Sequence, residues 1–151
     1  MKLREPMPEL TGTTQWINGQ VSREELVGWK PTLIHFWSIS CHLCKKAMPQ
    51  INHLREQYQD KINIIAVHMP RSDKDLNIEE IKRIAKEHNI EQPILVDHDR
   101  KLTEAFDNKY VPAYYLFDKD GKLRHYQAGG SGVQMLEKRL NRLLQEIENT
   151  N

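Results

Sequence analysis

Apolar positions fall along this chain in short runs that alternate with helical stripes. Leu33-Ile-His-Phe-Trp37 is an apolar run with β-branched and aromatic residues, which predicts a buried strand. Ser38-Ile-Ser40 then turns the chain. Ala47, Met48, Ile51, Leu54 and Tyr58 recur at helical spacing and predict a helix from about His42 to Gln59, kinked at Pro49. Ile62–Val67 reads as the next strand and Met69–Leu76 as a loop. Ile78, Ile81, Ile84 and Ala85 mark a second amphipathic helix ending near His88, followed by a short buried strand at Pro93–Val96 and a third helix at Arg100–Phe106. Ala113–Phe117 and Leu123–Ala128 form two strands joined by a turn at Lys119-Asp-Gly121, although alternation in the second is not clean. Gly129–Gly132 breaks the chain. Met135, Leu136, Leu140, Leu143, Leu144 and Ile147 then line one face of a final helix.

The first residues are patterned differently. Residues 1–15 carry two prolines and mixed polar residues, so they predict an irregular or edge-strand lead-in. Asn18-Gly19 inside Trp16–Val21 is a hairpin-turn signal. Ser22-Arg-Glu-Glu25 reads as a capping box that opens a short helix to about Val27, ended by Gly28. Strands alternate with helices early and a hairpin comes late, which predicts a mixed central sheet with helices on both faces. The length suits a single domain over 1–151, with 1–30 as an N-terminal hairpin extension and 31–148 as the core.

Composition narrows the function. Lys plus Arg is 22 and Asp plus Glu is 21, so the charge balance points to neither nucleic acid nor a membrane as an obligatory partner. The start of the chain lacks an apolar h-region and no apolar run reaches membrane-spanning length, so no leader or anchor is expected. The only two cysteines, Cys41 and Cys44, lie at C-x-x-C spacing, where a secreted scaffold would use more; a cytoplasmic location is expected.

Cys41 and Cys44 sit at the predicted strand-to-helix junction. A helix start offers free N–H groups and a partial positive charge, and both stabilise a thiolate. One helical turn brings the two sulfurs within disulfide reach, and so small a ring suits redox chemistry better than stapling. The alternatives are two buried structural cysteines, or half of a zinc site, which would need a second ligand pair that the chain does not offer. His53, His68, His88, His98 and His125 share no metal spacing, so no metal is expected.

These residues resemble the thioredoxin superfamily. Phe36-Trp37, Cys41-x-x-Cys44-Lys45 and Pro49 match its active-site segment, and Tyr110–Gly121 looks like its cis-proline loop and following hairpin. The whole chain is most similar to the TlpA/ResA-like branch, and within it to cytosolic thiol–disulfide oxidoreductases of bacilli. The helix at 78–88 with the strand at 93–96 resembles the central βα insertion of that branch. The resemblance implies a thioredoxin-like α/β fold and a monomeric enzyme that exchanges disulfides with protein disulfide or dithiol substrates, supplied by an unidentified thiol reductant. It implies no cofactor beyond the redox pair itself. Cys41 would be the exposed nucleophile and Cys44 the buried resolving sulfur.

Other roles follow from the same likeness. His35 stands where thioredoxins carry a buried Asp, so it is either a proton relay to the buried cysteine or a packed core histidine. His42, beside Cys41, would lower the thiol pKa if protonated. Val111 and Pro112, joined by a cis bond, would flank the cysteines and pair with an extended substrate. Trp37 would pack beneath the motif as core or substrate wall, and Gly129 would border the groove. Relatives often carry a Glu in the loop after the second core strand; Arg71 is the nearest match here, and it reads as solvated or substrate-binding. Thiol peroxidases need Ser or Thr three residues before the reactive cysteine and a Pro further upstream. Ser38 fits the first requirement, whereas Ile34 occupies the proline position. A cysteine-based metal-delivery module is the remaining alternative.

Overall fold

The computed structural model describes residues 1–12, 15–130 and 132–150. Thr13 and Thr14 of the lead-in, Ser131 of the glycine-rich break and Asn151 lie outside the described residues. The elements in chain order are β1 (Trp16–Ile17), α1 (Arg23–Leu26), β2 (Thr32–Trp37), α2 (His42–Gln57) and β3 (Asn63–His68). They continue with a 3-10 turn (Asp73–Leu76), α3 (Ile78–Glu87), β4 (Ile94–Val96), α4 (Lys101–Ala105), β5 (Ala113–Phe117), β6 (Leu123–Ala128) and α5 (Val133–Thr150).

The strands form one six-stranded sheet in the order β1-β4-β3-β2-β5-β6. β2, β3 and β4 run parallel, while β1, β5 and β6 lie antiparallel to their neighbours. Every residue of β2 is buried, because both faces of this central strand are covered. Leu33 and Trp37 face one layer with Met48, Ile51 and Leu54 of α2, Ile81 and Ile84 of α3, and Leu136, Leu140 and Leu143 of α5. Ile34 and Phe36 face the other, with Met7, Leu26 of α1, and Leu102 and Phe106 in and beside α4.

Three local readings are corrected. The expected N-terminal hairpin does not form: β1 pairs with β4, Trp16 opposite Leu95 and Ile17 opposite Ile94. Asn18 and Gly19 both take positive φ where the chain bends, but the Asn18 side-chain amide donates to Ile90 O at 2.7 Å and Gln92 O at 3.2 Å. That tether ties the turn to the approach to β4, a partner remote in sequence. The loop after β3 contains a 3-10 turn. Met135 is 47% exposed and lies off the buried face of α5, where Val133 is buried instead.

Asn18→Ala removes the donor from two carbonyls and forces alanine into positive φ. The unfolding free energy should fall by about 1–2 kcal/mol. Urea unfolding of the two proteins checks this; an unchanged midpoint would mean that the tether contributes nothing.

Candidate active site

The parallel register brings the C-terminal ends of β2 and β3 together, Trp37 opposite His68. Past Trp37 the chain turns tightly, with the Cys41 N–H donating to Ser38 O at 3.1 Å. Cys41 has extended backbone angles, φ −93° and ψ 104°, and is the N-cap of the 16-residue α2. Its Sγ accepts the Cys44 N–H at 3.1 Å. The sulfur therefore takes the place that a Ser or Asp oxygen usually fills at a helix start. Cys41 and Cys44 are disulfide-bonded, with Cα atoms 5.3 Å apart. The expected exposure of Cys41 is not met: it is 3% exposed and Cys44 1%. The disulfide draws the Cys41 sulfur inward onto Cys44 and the first turn of the helix.

One wall of the site comes from the segments before β5 and after β6. The Val111–Pro112 bond is cis. Val111 is half-buried and packs against both cores, including the layer that holds the cysteines. The Gly129 N–H donates to Pro112 O at 2.9 Å. At Gly130 a Cβ would come within 3.1 Å of Leu43 Cβ, so this backbone lies close against the first turn of the motif helix. Val111, Pro112, Gly129 and the exposed Leu43 thus share one side of the disulfide, and His42 is exposed on the first turn.

The opposite wall is the loop after β3, which holds the approach to Cys41 residue by residue. Ser38 Oγ donates to Met69 O. The Ile39 N–H donates to His68 Nε2 at 3.1 Å, and Ser40 Oγ to Asp75 Oδ2 at 2.8 Å. Arg71 is not simply solvated. Its Nη2 donates to Ser40 O at 2.6 Å and its Nε to Ser40 Oγ at 3.1 Å. Its backbone N–H donates to Asp75 Oδ2 at 2.8 Å. His68 and Asp75 carry no sequence signal for this work, since each stands in a segment that reads as strand end or polar loop.

The buried aromatic and imidazole groups pack among core residues. Trp37 is almost fully buried in the layer that contains the cysteines, edge-on to His68 at 5.0 Å, so no substrate can reach it here. His35 Nε2 lies 2.9 Å from the Gln92 side-chain nitrogen. An amide nitrogen only donates, so His35 accepts at Nε2 and carries its proton on Nδ1. Gln92 in turn accepts from Arg55 Nη1 at 2.7 Å. Gln92 precedes β4, so this chain runs toward the end of the sheet opposite the disulfide, and among the described residues no hydrogen bond joins His35 to a cysteine. Burial, reinforced by the Arg55 charge, pushes the His35 pKa down to about 3. Burial likewise pushes His68 down to about 4, with Asp75 opposing. Trp37 Nε1, His68 Nδ1, Asp75 Oδ1 and His98 Nε2 are buried without a hydrogen-bond partner among the described residues.

Residues 3–126 match the AhpC/TSA family. The thiol–disulfide oxidoreductase YkuV of Bacillus subtilis is 68% identical over 148 residues, which cover 98% of this chain and 100% of that protein. The thiol–disulfide oxidoreductase ResA of Bacillus cereus is 28% identical over 82% of this chain and 69% of its own length. Among solved structures, a thioredoxin-like protein in its oxidised form, at 68% identity, superposes with a TM-score of 0.90 over 97% of this chain and 99% of that one. A thiol:disulfide interchange protein DsbE of Chlorobium tepidum shares the fold, with a TM-score of 0.81 at 17% identity over 95% of this chain and 99% of that one.

His35 and His68 are held neutral in the fold, whereas in the unfolded chain a histidine titrates near pH 6.5. Unfolding therefore takes up protons below that pH. Stability should be lost as pH falls from about 6.5 toward 4 for His68 and toward 3 for His35, at up to about 1.4 kcal/mol per pH unit for each. Urea unfolding between pH 7 and pH 5 measures the slope. His35→Gln should reduce it by about one proton; an unchanged slope would show that His35 titrates normally.

Proposed function

The chain belongs to the AhpC/TSA family, and we propose that this thiol–disulfide oxidoreductase acts on protein disulfides, with Cys41 as the attacking sulfur and Cys44 as the resolving one. The observation that carries the reading is the Cys41 Sγ, disulfide-bonded to Cys44 while accepting the Cys44 N–H at the start of α2. A negative charge on that sulfur meets the positive end of the helix and a donor already in place. Cys44 lies one turn inside the helix, packed in the core, where it can reach only Cys41.

In the reducing direction the Cys41 thiolate attacks one sulfur of a substrate disulfide, and the other substrate sulfur leaves as a thiolate. Cys44 then loses its proton and attacks the Cys41 sulfur. The enzyme disulfide closes and the second substrate thiolate departs. Two electrons pass to the substrate, and a separate thiol reductant restores the dithiol. The Cys pair carries the electrons, so the reaction calls for no other cofactor. An extended substrate segment would lie along Val111 and Pro112, bordered by Leu43, His42 and Gly129. His35, occupied by Gln92, supports the fold in this reading rather than relaying protons.

Peroxide reduction, a known chemistry for cysteines preceded by Ser or Thr, finds no support in this site. Ser38 is fully buried and spends its hydroxyl on Met69 O. Ile34 lies inside β2, where the expected proline is missing. We further propose a cytoplasmic monomer, since the only two cysteines both serve the motif and one chain supplies every wall of the site. Among the described residues no helix is long and apolar enough to cross a membrane.

The purified protein should accelerate the reduction of insulin disulfides by dithiothreitol, and Cys41→Ser should abolish the acceleration. Cys44→Ser should instead accumulate mixed disulfides with substrate proteins on non-reducing gels. The reverse pattern, with Cys41→Ser as the trapping variant, would exchange the two roles.

A further inference from the structure

The peptide that carries Cys41 into the helix is held by a closed ring of hydrogen bonds. Arg71 grips Ser40 twice, at the carbonyl and at the hydroxyl. Asp75 Oδ2 accepts from Ser40 Oγ and from the Arg71 N–H, 2.8 Å each. Asp75 is 1% exposed, and its second oxygen has no partner among the described residues. An acidic group so close to Cys41 opposes a thiolate, and the Arg71 guanidinium, fixed in the same ring, offsets it. The Ser40 carbonyl leads directly to Cys41, so covalent geometry keeps the Cys41 sulfur within about 8 Å of Arg71 Nη2. That is inside the range over which charges at a protein surface act on each other.

We propose that Arg71 is a positioning residue for the exchange reaction, holding the Ser40–Cys41 peptide and supplying the cation that offsets Asp75 and favours the Cys41 thiolate. The inference rests on the exchange reading above. Arg71 is suited to this role by its fork, which reaches carbonyl and hydroxyl together while Nη1 remains unengaged among the described residues. Other titratable groups lie on the elements around Cys41. From α2 these are His42 and Lys45, whose charge also reaches Glu80 of α3. β3 contributes His68 and the segment after β4 His98, while Tyr114 of β5 packs in the same layer as the cysteines. Of the cations in this set, Arg71 alone is bonded to the residue preceding Cys41.

The test is the pH dependence of Cys41 alkylation by iodoacetamide in the reduced protein, in a Cys44→Ser background. Arg71→Gln should raise the midpoint by at least about half a pH unit, a threefold loss of thiolate below the midpoint. Arg71→Lys keeps the charge without the fork and should move the midpoint less than half as far. An unmoved midpoint in Arg71→Gln, or equal shifts in the two variants, overturns the proposal. Insulin reduction by the wild-type protein is assayed alongside. An inactive wild type overturns the exchange reading itself, whereas an active wild type with an unmoved midpoint overturns only the role of Arg71.

Discussion

A helix start must find acceptors for N–H groups that have no partner within the helix. In this protein a sulfur atom fills that place. The bond from the Cys44 N–H to Cys41 Sγ joins backbone structure to reactivity, because the contact that caps α2 also prepares a thiolate. The rest of the fold holds this junction still. β2 fixes the take-off point, the helix packs through Met48, Ile51 and Leu54 onto the sheet, and the loop after β3 grips Ser38, Ile39 and Ser40 in turn.

The two walls of the site are built differently. The wall formed by Val111, Pro112 and Gly129 relies on backbone shape, and Gly130 beside it lies close against Leu43. The wall formed by His68, Arg71 and Asp75 relies on polar side chains, of which His68 and Asp75 are buried. Backbone shape suits a surface that receives many different chains. Polar side chains suit a surface that sets the charge balance of a single atom.

What could be read from residue order follows the same division. The strands, the long helices and the cysteine junction were legible, because apolar periodicity and C-x-x-C spacing are local signals. Tethers between remote side chains were not. Asn18 belongs to Ile90 and Gln92, Arg71 to Ser40, and His35 to Gln92 through partners 31 to 74 residues away. Asn18-Gly19 looked like a hairpin because its turn chemistry is real, while its pairing partner was set elsewhere. The burial of Cys41 is hidden from the sequence for a related reason: position at a helix start says where a sulfur is anchored, not which way the closed disulfide turns it.

The two-residue strand β1 has a consequence beyond topology. Its pairing with β4 covers the flank of a three-residue parallel strand whose side chains are all buried. Without that cover, Ile94, Leu95 and Val96 would present an open row of backbone donors and acceptors beside an apolar surface, a template for sheet growth between molecules. Trp16 and Ile17, which precede the cysteine motif in sequence, thus cover a sheet edge that would otherwise be open to strand pairing.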